Sequence, residues 1–259
     1  MNCRLCSAQI LAKRFSGKIL GRLVDYFDCS FCGYVQTENP TWLRKAYAST
    51  MNDSDTGVMM RNLSNVSSVL AALTLIGQRK SLIVDYAGGH GFLVRLLRDI
   101  GVDAYYSDPF SINLVAKGFD YKSNKQKKNS ATLVMAFEAF EHFKYPIKEM
   151  KKLLSIAPNI LLTTQIIATP APQSSDWWYY GLDHGQHIGF YRTKTLKFIA
   201  QKFNLHLLSD GYSTHIFSKK KYSYTVWMLF RILSRIFPKL FTIGLKPKTW
   251  SDHLRIKKS

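Results

Sequence analysis

Cysteine is scarce in this chain: four residues in 259, all within the first 32. Residues 1–10 hold two of them and no apolar run, so no secretion signal is read there. Reduced thiols are therefore expected rather than a pair of disulfides. Long hydrophobic runs are lacking too. No stretch of 18 uninterrupted apolar residues occurs, which excludes an ordinary membrane-spanning helix. Acidic residues are few, 17 against 36 Lys and Arg, for a net charge of +19. Such a surplus predicts affinity for something anionic: a nucleic acid, a nucleotide-linked substrate or an acidic membrane surface. Disorder is excluded by composition, with 46% hydrophobic and 14% aromatic residues. A chain of this length can bury one large core, or a core with a small module attached.

The four cysteines form two pairs, Cys3-x2-Cys6 and Cys29-x2-Cys32, with Gly33 directly after the second. Two such knuckles supply four thiolates, the donor set of a closed tetrahedral zinc site. Such a site has no spare ligand position, so the expected role of zinc is structural. A module this small needs the metal's binding energy to fold.

The core of the chain is read from residues 81–91. Leu82, Ile83 and Val84 are a short apolar run, two of them β-branched, as expected of a buried parallel strand. Asp85 ends it, Gly88, Gly89 and Gly91 follow, and Phe92–Ile100 has helical periodicity. Strand, glycine turn and helix make the first half of a doubly wound nucleotide site. Residues 102–107 read as the next strand, and Asp108 ends it, placed to accept hydrogen bonds from ribose hydroxyls. The spacing suits a dinucleotide as well as an adenosyl cofactor, but the glycines do not follow G-x-G-x-x-G.

Further along, Asn113–Lys117 is expected to be a short helix and 122–130 a basic surface loop. Residues 131–137 read as a buried strand. It leads into Glu138-Ala-Phe-Glu-His142, where Glu138 is placed to reach a cofactor and Glu141 and His142 could open a helix instead. Ile147–Leu154 reads as helix and Ile160–Gln165 as strand. Residues 176–191, with four consecutive aromatics, His184 and His187, are read either as a substrate lid or as an aromatic plug of the core. Thr193–Phe203 is an amphipathic helix, and a closing strand pair follows at 205–208 and 214–217. The tail, 219–259, carries 11 Lys and Arg against one acid, Asp252. Its apolar stretch from Trp227, broken by Arg231, Arg235 and Pro238, fits an interfacial helix over 219–245 or a helix packed on the core.

The Asp85-Tyr-Ala-Gly-Gly-His-Gly91 segment resembles the acidic-x-Gly-x-Gly-x-Gly loop of class I S-adenosylmethionine-dependent methyltransferases, with Ala87 in place of the first glycine. Together with the cysteine knuckles, Glu138–His142 and Gly185–Tyr191, it makes residues 1–217 similar to methyltransferases with an amino-terminal zinc-binding domain. Those that methylate carbon on nucleotide-linked sugars, and relatives of surface-polysaccharide clusters, are most alike. The resemblance implies an α/β fold with a doubly wound, mostly parallel seven-stranded sheet and a small zinc ribbon. The expected layout is a zinc-ribbon-like module at 1–40, linker helices at 41–75, a methyltransferase core at 76–218 and the basic tail at 219–259. It also implies S-adenosylmethionine held by Asp85, Gly88, Gly89, Gly91, Asp108 and Glu138, and zinc held by the four cysteines. The sugar C-methyltransferases carry Tyr-x-Glu-His in the late loop. Here His184, Gln186 and His187 stand there, so methyl transfer to a sugar hydroxyl is expected before transfer to carbon, with His187 as general base and His184 beside it. The acceptor is expected to be a nucleotide- or lipid-linked glycan, and the location cytoplasmic, at or near the inner face of the membrane. An RNA methyltransferase and a non-catalytic scaffold are the alternative readings.

Overall fold

The computed structural model describes residues 1–9, 11–48, 55–121 and 131–258. The expected basic loop at 122–130 lies outside them. The chain divides into two compact units. One comprises 1–52, 138–152 and 162–217; the other comprises 53–137, 153–161 and 218–259.

In the first unit, β1 (Leu11–Ile19) and β2 (Arg22–Cys29) form an antiparallel hairpin, and β3 (Val35–Thr37) pairs with β2. A short helix follows, α1 (Leu43–Ala46). In the second unit come α2 (Val58–Leu75), β4 (Leu82–Tyr86), α3 (Phe92–Asp99), β5 (Asp103–Ser107) and β6 (Leu133–Ala136). The remaining elements are α4 (Pro146–Ile156), β7 (Asn159–Thr163), β8 (Gly189–Phe190), α5 (Thr193–Lys202), β9 (His206–Ser209) and β10 (Thr214–Ser218). The tail forms α6 (Tyr224–Ile236), α7 (Pro238–Thr242) and α8 (Thr249–Lys257).

The main sheet runs in the order β5-β4-β6-β7-β10-β9. β4 is parallel to both neighbours, with Asp85 beside Tyr106 and Met135. All five residues of β4 are buried, so the strand needs apolar side chains on both faces, as its sequence reads. The expected seven strands are six among the described residues. Next to β5 there is an isolated bridge, Tyr106 to Asp120, in place of a strand. Gly118 stands just before it with φ +82°. The expected helix at 113–117 is also absent. There the Asn113 side chain accepts from the Ala116 N–H (2.9 Å) and donates to the Ala116 carbonyl (2.9 Å), a local closure that replaces helical hydrogen bonds.

β8 joins the small sheet, order β1-β2-β3-β8, pairing Val35 with Phe190 and Gln36 with Gly189. Tyr179, Tyr180, Ile188 and Phe190 are buried in one cluster with Phe15, Val24 and Tyr26. The aromatic stretch is thus a plug of the core and not a lid: its rings bury too much apolar area to swing free. Trp178, 74% exposed, is its outward member. Arg192 fixes the same unit by a bidentate, buried pair with Asp28 (2.7 and 2.8 Å).

In the second unit the tail is anchored by its single acid. Asp252 takes Arg98 bidentately at 2.7 Å through each oxygen and Arg95 at 2.9 Å. Both Asp252 and Arg98 are buried, and the Arg98 guanidinium also lies 3.7 Å from the Phe119 ring centre. α6 and α7 pack on α2; Trp227, Arg231, Ser234 and Phe241 are buried, and Leu229, Ile232, Ile236, Phe237, Leu240 and Ile243 stay exposed.

Candidate active site

The glycine loop is built as the sequence demands. Ala87 donates its N–H to the Ser107 carbonyl (2.8 Å), which ties the loop to the end of β5. A Cβ on Gly88 would lie 2.6 Å from Asp85 Oδ2, so only glycine lets the chain fold over that carboxyl. Gly91 has φ +87°, and a Cβ there would meet Asn113 Oδ1 at 2.7 Å. Ala87 has φ +59°, the left-handed conformation that glycine adopts at least cost. The departure at Ala87 is therefore a strained one.

Asp108 does what an acid at the end of β5 can do. Its Oδ2 accepts from the Gly89 N–H (3.0 Å), and its Oδ1 accepts from the N–H groups of Phe110 (2.7 Å) and Ser111 (3.1 Å). A carboxylate has about four lone-pair sites, so capacity remains for a hydroxyl donor. Tyr106, which the motif reading missed, sets its hydroxyl 2.8 Å from the carbonyls of both Gly89 and Ser111. Asp85 is buried, and burial followed by the nearby Asp108 charge pushes its carboxyl up to about 8.

β6 runs parallel to β4, and Glu138 follows its end by two residues. Glu138 has φ +47° and is held by Thr163, whose hydroxyl accepts from the Glu138 N–H (2.9 Å) and donates to Glu138 Oε1 (2.6 Å). The next residues make a single 3-10 turn, Phe140–His142, rather than a long helix. That turn places Glu141 and His142 with His187 in one cluster, their ligating atoms within 4.8 Å of one another. The rings of His142 and His187 are 4.8 Å apart, edge to face. Glu141 is fully buried, and burial raises its carboxyl to about 7.

His187 has a definite tautomer. Its Nδ1 lies 2.6 Å from the Tyr179 carbonyl, which can only accept, so Nδ1 carries the proton and Nε2 keeps a lone pair. Burial lowers its affinity for a second proton. His184 is placed differently: its Nδ1 accepts from the Gln186 N–H (3.1 Å), and its ring covers Gly181. Gln186 turns away and donates to the Ala46 carbonyl (2.9 Å). Tyr47 holds His142 Nδ1 at 2.8 Å. Tyr47 and Thr163 carried no sequence signal, and Tyr179 was visible only as one of four consecutive aromatics, because each acts through a contact made by the fold.

The four cysteines converge with all sulfurs within 4.8 Å, Cys3 to Cys32 at 3.7 Å and Cys6 to Cys29 at 3.6 Å. A tetrahedral ion with Zn–S bonds of about 2.3 Å needs sulfurs about 3.8 Å apart, so the donor set fits zinc.

A family model for a methyltransferase domain matches residues 60–210. No curated protein sequence matches. Among solved structures, the magnesium protoporphyrin IX methyltransferase ChlM of Synechocystis PCC 6803, with bound SAH, is similar at 15% identity over 68% of this chain and 90% of that one, with a TM-score of 0.45. An O-methyltransferase family protein of Burkholderia thailandensis is similar at 15% identity over 70% and 68%, TM-score 0.45. The plantazolicin methyltransferase BpumL in complex with SAH shares 8% identity over 70% and 92%, TM-score 0.44. The family match spans more than half of the chain, from within α2 to the turn after β9, and on it the chain belongs to the methyltransferase-domain family, as a class I, S-adenosylmethionine-dependent methyltransferase.

Proposed function

We propose that the protein methylates a hydroxyl, or failing that a carbon, of a sugar in a nucleotide- or lipid-linked glycan. The observation that carries this reading is the oriented His187, which keeps an open Nε2 lone pair while Gln186, in the position of an acid, is turned to Ala46. A neutral imidazole suits removal of a hydroxyl proton. Asp108, Asp85 and the loop Gly88–Gly91 would hold S-adenosylmethionine. When bound, S-adenosylmethionine supplies an electrophilic methyl group on a sulfonium that departs as a neutral thioether. His187 takes the acceptor's proton, and the fold aligns the reactants, an effect that can supply several kcal/mol. Cys3, Cys6, Cys29 and Cys32 would hold structural zinc.

The tail supports an acceptor at a lipid surface. Among the described residues no helix is long and apolar enough to cross a membrane. Yet α6 and α7 expose an apolar row within a segment carrying 11 basic residues and one acid. That combination suits an anionic bilayer interface. The test is transfer of labelled methyl from S-adenosylmethionine into a cell extract, separated into nucleotide sugars, lipid-linked glycans and RNA. Label in a sugar pool supports the reading, and label in the lipid-linked pool supports the role given to the tail. Label in RNA alone replaces it with an RNA methyltransferase, for which the +19 charge would be the polynucleotide footprint.

A further inference from the structure

Glu141 presents a problem that the hydroxyl-methylation reading does not solve. It is fully buried, and neither carboxylate oxygen has a hydrogen bond of normal geometry, although the Tyr179 and Thr164 hydroxyls lie close enough to favour its ionised form. The hydroxyls of Tyr179 and Thr164 are its electrostatic neighbours, and both are buried without a hydrogen bond of normal geometry. A buried carboxyl left so is costly and calls for a partner. Two imidazoles stand with it. His187 is fixed through Nδ1 to the Tyr179 carbonyl and His142 through Nδ1 to the Tyr47 hydroxyl, at 2.6 and 2.8 Å. Anchoring one ring nitrogen to an outer oxygen is how proteins prepare the other nitrogen for a metal.

We propose that Glu141, His142 and His187 form a binding site for a divalent transition-metal cation, separate from the cysteine site. Their ligating atoms lie within 4.8 Å of one another. Metal–ligand bonds of about 2.1 Å set neighbouring donors roughly 3.0–3.4 Å apart, a closure that side-chain adjustment supplies. One carboxylate and two imidazoles suit Mn2+, Fe2+ or Co2+, whereas four thiolates select zinc. Three protein ligands leave coordination positions open. There the cation would hold an acceptor hydroxyl and make it more acidic, so that its proton passes to solvent water and the alkoxide oxygen takes the methyl group as the donor leaves as a neutral thioether, with His187 then serving as ligand and not as base. This use of the cation rests on the hydroxyl-methylation reading; the binding of the cation does not.

The experiment is Mn2+ binding to the full-length protein with its cysteine-bound metal retained, followed by electron paramagnetic resonance without donor or acceptor. The expected result is one Mn2+ per chain. Affinity should fall at least roughly tenfold in Glu141→Gln and in His187→Gln, with the total of cysteine-bound metal unchanged. Saturating Mn2+ should also raise the melting temperature of the wild type and not that of the two variants. If Glu141→Gln does not fold, His142→Gln carries the same comparison. Failure of the wild type to bind Mn2+, or equal binding by the folded variants, overturns the site. Loss of methyl transfer to sugars with Mn2+ binding intact would instead refute the acceptor assignment alone.

Discussion

Replacing Asp85 with Asn tests the electrostatics of the cofactor loop. Asp85 is 3% exposed, and burial and Asp108 push its carboxyl up to about 8. In the unfolded chain it ionises near pH 4. Between those values the folded protein holds a proton that the unfolded chain has released. The associated stability is complete below about pH 4 and is lost as pH rises through about 8. The loss is about 1.4 kcal/mol per pH unit, so the window gives a ceiling of about 6 kcal/mol. Relaxation of the loop and entry of water should reduce this to roughly 2–3 kcal/mol. The amide of Asp85→Asn is neutral throughout and nearly isosteric with the carboxyl, so the variant lacks this slope. Urea unfolding of both proteins from pH 5 to 8.5 gives the difference, in which any effect of pH on the cysteine site cancels. The variant should gain on the wild type with each step from pH 5 toward pH 8. A difference that stays constant across this range would refute the raised carboxyl. The same reasoning has a binding consequence. A cationic donor favours the ionised Asp85, so cofactor affinity should rise with pH up to about 8, with proton release seen as a buffer-dependent heat.

Other outcomes follow from the same structure. Asp108→Ala removes an acceptor from three N–H groups and should weaken cofactor binding roughly 10- to 100-fold by calorimetry; unchanged affinity would remove its ribose role. His187→Ala should cost roughly 10²-fold or more in turnover with cofactor affinity nearly intact, and normal turnover would exclude it from the chemistry. Ala87→Gly relieves the left-handed alanine, partly offset by a freer unfolded chain, and should raise stability by up to about 1 kcal/mol in thermal melts; a loss would show that the strain is absent. Asp252→Asn leaves Arg98 buried without its main partner and should cost about 3 kcal/mol, with earlier proteolysis of the tail; a change under about 1 kcal/mol would mean that the tail is held by its apolar contacts.

The cofactor loop was legible because it is local. Leu82–Gly91 holds its strand pattern, acid and glycines within ten residues, and Asp108 ends the next strand one helix later. The cysteine pairs were legible for the same reason, since each knuckle is a four-residue motif. Glu141 and His142 were visible as a motif but not as partners of His187, because 45 residues separate them and a single 3-10 turn decides where they point. The late loop reads as a lid or as a plug from its sequence, since its aromatics have no regular period. Only their burial against Phe15 and Tyr26 shows which of the two they form.

The sequence by itself determined the order of strands and helices in the core, the nucleotide-type turn after β4, the pairing of cysteines into two knuckles and the excess of positive charge. These follow from propensity, periodicity and covalent proximity, which act over a few residues. The tertiary structure alone decided that β8 completes the small sheet, that Asp28 pairs with Arg192 and Asp252 with Arg98, and that Ala87 is strained. It also decided that a buried carboxyl meets two oriented imidazoles. Such pairings depend on desolvation and on geometry between distant segments, quantities that exist only once the chain has closed on itself.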